Sequence, residues 1–220
     1  PGIKKNTIVI LELSSFQLWD LEKSPAVAVI TDIFPDHQDV HKDMKEYLGA
    51  KANVTKYQKK SDAVFYFESN PLAKKIAYRS KGEKIAVVAP DTLEKNKILA
   101  ATVTKYLGIP EKTAARVLKR QKGLEHRLEF VRTVNGVRYY DDAASTNPQT
   151  SAAAVTSFSE PIILIAGGKD KNLDYKPLAQ AVKKSGLVRL VIVMGENKDK
   201  IAGAIRKSGV EIKTASDLVA

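Results

Sequence analysis

Cysteine is absent from the 220 residues, which excludes disulfides and thiolate metal sites. That absence fits a reducing compartment. No stretch approaches the roughly 20 apolar residues that a bilayer span requires, and no signal-peptide pattern opens the chain. Neither a Walker A loop, G-x-x-x-x-G-K-[ST], nor a G-x-G-x-x-G fingerprint occurs anywhere in the sequence. Any phosphate cradle of those kinds therefore lies outside these residues. Aromatics make up only 7%, and no RNA-binding aromatic motif or DNA-reading helix stands out. Acidic residues are in deficit, 25 against 36 Lys and Arg, for a net charge of +11. Nucleic-acid binding is one reading of that charge, with a steep salt dependence as its mark. The lysines are scattered over expected helix faces, however, as at Lys183, Lys184, Lys198 and Lys200. A solvated surface that favours anionic substrates accounts for them better.

What is present is a 44% hydrophobic chain, enough to bury a core, in which strand and helix patterns alternate. Residues 8–11 (IVIL) form a short β-branched run that reads as a buried parallel strand. Similar runs occupy 26–30, 63–67 and 84–88. A helix is expected at 42–58, with Met44, Tyr47, Leu48 and Val54 on one stripe. Lys51 falls on that stripe. Further helices are expected at 71–79, 93–107 (closed by Gly108) and 110–119. At 121–125 the rhythm breaks, and a domain boundary and hinge are expected there. Asn135-Gly136 between apolar runs is a strong hairpin signal. Beyond it, helix 148–155, strand 161–166 and strand 188–194 describe a small doubly wound sheet. The opening residues run straight into a strand pattern and the closing ones stop in mid-pattern, so a segment of a longer chain is expected.

The chemistry gathers at strand ends, where open α/β sheets bind ligands. Glu12 follows the first apolar run and either holds a divalent cation or merely caps a turn. Asp36, His37 and Asp39 cluster after the second run, and His37 either ligates a metal, orients a substrate or is simply exposed. His41 reads as surface. His126 and Arg127 sit at the proposed boundary. Arg127 can clamp a phosphate with two parallel hydrogen bonds, or pair with a carboxylate such as Glu129. Asp141 and Asp142 either meet ribose or Mg²⁺ or cap the next turn. Gly167-Gly168 resembles a phosphate loop only weakly, because many turns use Gly.

Together, ELSSFQL, PDHQD, GAK, GLEHR, DDAASTNP and GGKDKNLDY, in that order and spacing, resemble the Mur ligase family over nearly the whole chain. The Ser-Ser-Phe-Gln element and the ASTNP loop resemble the branch that attaches D-glutamate, rather than siblings that add other amino acids or act on folate. The resemblance implies an α/β fold. A partial parallel-sheet, ATPase-type central domain would occupy 1–122, and a partial Rossmann-like α/β C-terminal domain 123–220. It implies ATP and Mg²⁺ as cofactors, and UDP-N-acetylmuramoyl-L-alanine and D-glutamate as substrates. It further implies a cytoplasmic, peptidoglycan-building enzyme that is monomeric when complete and binds neither nucleic acid nor membrane. By the same resemblance, Glu12, His37 and a carbamylated Lys51 serve the metal, and Lys51, His37 and Arg127 serve catalysis. His126, Arg127 and Asp142 meet the nucleotide. Ser14 and Gln17 face the UDP-sugar peptide, and Thr146 and Lys171 face the incoming D-glutamate. Two positions depart from the family pattern. Ala144 stands where Lys is frequent, and LEKNK replaces H-N-x-x-N, with Lys97 at the second Asn.

Overall fold

The computed structural model describes residues 2–4, 7–37, 40–90, 94–121 and 123–216. By contact the chain forms two compact units: residues 1–33 with 41–87, and residues 34–40 with 88–220. Each is built on its own parallel sheet.

In the first unit, β1 (Val27–Ile30), β2 (Ala63–Phe67) and β3 (Glu83–Val87) pair in that order, all parallel. β2, AVFYF, is buried at every residue, as an apolar run in the middle of a covered parallel sheet should be. Helix α1 (Ser15–Leu18) precedes the sheet. Helices α2 (Met44–Lys56) and α3 (Pro71–Ala77) supply the apolar cover. Tyr47, Ala52, Ala73 and Ile76 pack with Ala28, Ile30, Val64 and Tyr66, while Met44, Leu48 and Val54 lean on the same cluster. The expected apolar stripe of α2 is thus the face that meets the sheet.

Each helix start has a local cause. Asp43 caps α2 by accepting the Glu46 amide at 2.8 Å. Asn70 caps α3, accepting the Ala73 amide at 2.9 Å, and Pro71 opens that helix, where a missing N–H is harmless. Asn70 also reaches back to the loop that follows β1, donating to the Ile33 carbonyl at 3.1 Å and to Asp32 at 3.2 Å.

The strand expected at residues 8–11 does not form. The segment is irregular, and Ile8, Val9, Ile10 and Leu11 are exposed, Ile10 by 88%. The physical reason is that a strand exists through its pairing, and among the described residues no strand pairs with this one.

In the second unit, helices α4 (Lys95–Tyr106) and α5 (Glu111–Arg120) come first. The expected start of α4 at residue 93 lies outside the described residues. Gly108 follows α4 with φ +78°, and Pro110 takes the N-cap of α5 rather than its first turn. Strands β4 (Glu129–Val134) and β5 (Val137–Asp141) form the antiparallel hairpin. Its turn residues Asn135 and Gly136 have φ of 49° and 79°, the paired left-handed geometry that matches strand twist. Helix α6 (Pro148–Thr156) is capped by Asn147. Strands β6 (Ile162–Gly168), β7 (Val188–Gly195) and β8 (Glu211–Thr214) then pair in order, all parallel, with α7 (Lys176–Ser185) and α8 (Lys198–Ile205) as crossovers. Val191, Val193, Leu178, Val182, Ile201 and Ile205 form the core between sheet and helices. At the ends of β6 and β7 the backbones nearly touch: a Cβ on Gly167 would collide with the Met194 carbonyl. Gly167 is therefore explained by strand approach.

Candidate active site

Residues assigned to the first unit lie around α1 and α2. Glu12 is exposed on the irregular segment ahead of α1. Ser14 and Gln17 close a capping box: Ser14 Oγ accepts the Gln17 amide at 3.3 Å, and Gln17 Oε1 accepts the Ser14 amide at 2.9 Å. This reciprocal pair satisfies two N-terminal donors. It leaves the Gln17 NH₂ group and the Ser14 hydroxyl proton as the outward donors. Lys51 is half-buried on α2, with Nζ 5.8 Å from the centroid of the Tyr47 ring. It sits against the aromatic face of the core, not out on the solvated side of the helix.

His41 corrects the sequence reading. It is 1% exposed, not on the surface. Its ring stacks on Trp19 at 4.4 Å and Phe16 at 5.4 Å, and its Nε2 lies 2.9 Å from Ser15 Oγ.

The remaining residues group with the second unit. His37 has φ of +54° and donates its amide to Asp36 Oδ1 at 2.8 Å. Asp39 lies outside the described residues. Lys171 Nζ lies 3.7 Å from the same oxygen, Asp36 Oδ1. The loop carrying Lys171 is braced from α8: Lys200 pairs with Asp170 at 2.5 Å. Asp170 also accepts the Asn172 amide at 2.9 Å. These donors hold the Asp170 carboxyl below its ordinary range, Lys200 contributing most.

Four of the expected residues meet in one loop pair. His126 and Leu128 take left-handed φ values of 59° and 48°, uncommon for residues with side chains. The strain is offset by neighbours on the 141–146 loop. His126 Nδ1 lies 2.7 Å from Asp141 Oδ2, the His126 carbonyl accepts the Ala144 amide at 2.8 Å, and Asp142 accepts the Leu128 amide at 2.9 Å. Between the two strained residues stands Arg127, exposed and forming no ion pair with another described residue. The alternative of an Arg127–Glu129 pair is not realised, because Glu129 instead accepts the His126 amide at 2.8 Å. Thr146 follows on the same loop, exposed, its amide donating to the Ala144 carbonyl at 3.0 Å. The loop pair thus presents a cation and a hydroxyl beside Asp142, an arrangement suited to anionic oxygens.

Sequence reasoning left the role of Asp141 open and missed its pairing with His126. Together with Glu129 these two place ligand atoms within 4.8 Å of one another, a geometry that can hold a metal ion. All three are engaged among themselves or by backbone.

The family model described as "Mur ligase middle domain" matches residues 3–127, and the one described as "Mur ligase, glutamate ligase domain" matches residues 126–220. The chain belongs to the Mur ligase family. Curated relatives include the UDP-N-acetylmuramoylalanine–D-glutamate ligase of Clostridium botulinum strain Langeland, 33% identical over 93% of this chain and 51% of that protein. The Clostridium perfringens protein of the same name is 32% identical over the same shares. The chain therefore spans about half the length of the curated relatives it matches. Among solved structures, MurF from Acinetobacter baumannii has a TM-score of 0.66 at 14% identity, covering 91% of this Mur ligase chain and 51% of MurF. UDP-N-acetylmuramate-alanine ligase MurC from Thermotoga maritima has a TM-score of 0.63 at 15% identity, covering 93% and 54%. At such identities these neighbours speak to the fold alone, and they support the α/β architecture with parallel sheets.

Proposed function

We propose that the protein to which these residues belong joins D-glutamate to UDP-N-acetylmuramoyl-L-alanine at the expense of ATP. The reading is carried by one observation: 33% identity, across 93% of the chain, to ligases named for that reaction. The two matched domain types, middle and glutamate ligase, point the same way. On this reading it acts in the cytoplasm. Among the described residues no helix is long and apolar enough to cross a membrane.

The chemistry follows from the groups to be joined. A carboxylate is a poor acceptor for an amine, so its oxygen first attacks the γ-phosphorus of ATP, giving an acyl phosphate and ADP. The D-glutamate amine then attacks the acyl carbon. The C–O bond to phosphate breaks, phosphate leaves, and the amine loses a proton. The first step brings two anions together, so fixed cations supply most of the stabilisation. Arg127, held between two strained residues, would clamp phosphate oxygens, with His126 and Asp142 fixing its loop. Thr146 and Lys171 would receive the D-glutamate carboxylates. Ser14 and Gln17 would hydrogen-bond the UDP-sugar peptide with their outward donors.

Glu12, His37 and Lys51 are the residues that would hold Mg²⁺. The Glu12 carboxylate and a carbamate oxygen on Lys51 are donors suited to a hard cation, the His37 imidazole being the softer member of the set, and Lys51 fits it only if its amine is carbamylated. The half-buried site of Lys51 beside Tyr47 holds the amine at the edge of the core, and it is the neutral amine that would attack CO₂. When bound, the metal supplies charge neutralisation at the phosphate oxygens.

The test is phosphate release by the full-length protein with ATP and UDP-N-acetylmuramoyl-L-alanine, across a panel of amino acids. D-glutamate should stimulate release; stimulation by L-glutamate or another amino acid instead would reassign the protein to a sibling ligase.

A further inference from the structure

We propose that His41 is a positioning residue that locks helix α1 in place through Ser15. What α1 presents to a ligand rests on the ligase reading above; the lock itself does not. A helix of four residues cannot hold itself, since isolated helices shorter than about 12 residues are marginal in water. Its capping box fixes its local shape and leaves its placement to tertiary contacts. At the C-terminal end, Asn53 donates from one amide nitrogen to the Leu18 carbonyl at 2.8 Å and the Trp19 carbonyl at 2.9 Å. At the N-terminal end, His41 does the equivalent work: its Nε2 lies 2.9 Å from Ser15 Oγ. Its ring is inserted against Trp19 and Phe16, at interplanar angles of 25° and 7°. Tyr47 closes the pocket edge-on at 5.4 Å.

A Ser–His contact invites a nucleophile–base reading, which burial rules out. Ser15 and His41 are each 1% exposed, so no substrate atom reaches the hydroxyl. His41 Nδ1 makes no hydrogen bond among the described residues and lies 3.8 Å from Glu46 Oε2, so the contact to Ser15 and the aromatic stack are what orient the ring. Ser15 is flanked by the residue that caps α1, Ser14, and lies on the same turn as Gln17. A tilt of α1 about a loosened Ser15 would displace both outward donors together. Misplacement of binding groups by about 1 Å can cost up to about a hundredfold in rate.

The experiment uses the full-length protein and four variants: His41→Phe, His41→Gln, Ser15→Ala, and His41→Phe with Ser15→Ala. His41→Phe keeps the stack and loses the hydrogen bond; His41→Gln restores a hydrogen-bonding group. The expected result is a rise of about tenfold in KM for the UDP-sugar peptide in His41→Phe and Ser15→Ala, with KM for ATP unchanged. The double variant should be no worse than either single one, and His41→Gln should recover part of the loss. Amide exchange at residues 15–18 should quicken in the same variants. If His41→Phe fails to fold, Ser15→Ala, which removes one oxygen, carries the test. Lowered thermal stability with unchanged KM and unchanged exchange at 15–18 would overturn the proposal. Absence of any ligase activity in the unmodified protein would overturn the functional reading instead, and the exchange measurement would still decide the lock.

Discussion

The His126 imidazole and the Asp141 carboxylate are 2.7 Å apart, fifteen residues distant in sequence, and this contact joins the loop bearing Arg127 to the loop bearing Asp142 and Thr146. The hydrogen bond to Asp141 is the largest cause holding the His126 imidazole above its ordinary 6.5, with the Asp141 charge next. Reciprocally, His126 and then the Ala143 amide hold the Asp141 carboxyl below its ordinary 3.8.

The sign of the pH dependence follows from both shifts. A raised His contributes stability that is fully present below its unfolded value and lost as pH rises through the folded one. A lowered Asp contributes stability present above its unfolded value and lost as pH falls through the folded one. The pair is therefore intact between the ordinary Asp and His ranges, and the loops loosen on either side. An NMR titration of His126 should give a midpoint above 6.5 that falls in Asp141→Asn. An unchanged midpoint in that variant would show that the contact is not formed in solution.

Asn70 is 6% exposed and serves three partners: the Ala73 amide, the Ile33 carbonyl and Asp32. Asn70→Ala removes a helix cap and strands a buried carbonyl in the loop after β1. The expected cost is about 2–3 kcal/mol in urea unfolding. A change within about 0.5 kcal/mol, the range of ordinary surface substitutions, would contradict this account of how α3 is tied to β1.

Lys51→Ala in the full-length protein should abolish ligase activity while leaving the fold intact. A small carboxylate such as acetate should restore part of it, by supplying the negative oxygens that the carbamate would carry. Full activity in Lys51→Ala would leave Lys51 as a side chain that only covers apolar surface with its stem.

Local signals were legible where they are complete in a few residues. Asn135-Gly136 announced its turn, and Met44, Tyr47, Leu48 and Val54 announced the buried face of α2 with Lys51 on it. Other features depend on partners remote in sequence. The 8–11 run has strand composition, but composition supplies no pairing partner. His41 sits among polar residues at a helix start, and nothing nearby reveals that Trp19, Phe16 and Ser15 will enclose it. The two left-handed residues around Arg127 were equally invisible, since neither is Gly or Asn. Their conformation is imposed by the 141–146 loop.

The central claim is that a substrate carboxylate is activated as an acyl phosphate and then captured by D-glutamate. It is tested most directly by labelling that carboxylate with ¹⁸O and following the label with the full-length protein, ATP and D-glutamate. One ¹⁸O should appear in each phosphate released, because the attacking oxygen leaves with it, and the 220-residue chain alone, which has no Walker A loop, should release none. Phosphate free of label, or label transfer driven by a different amino acid, would contradict the account.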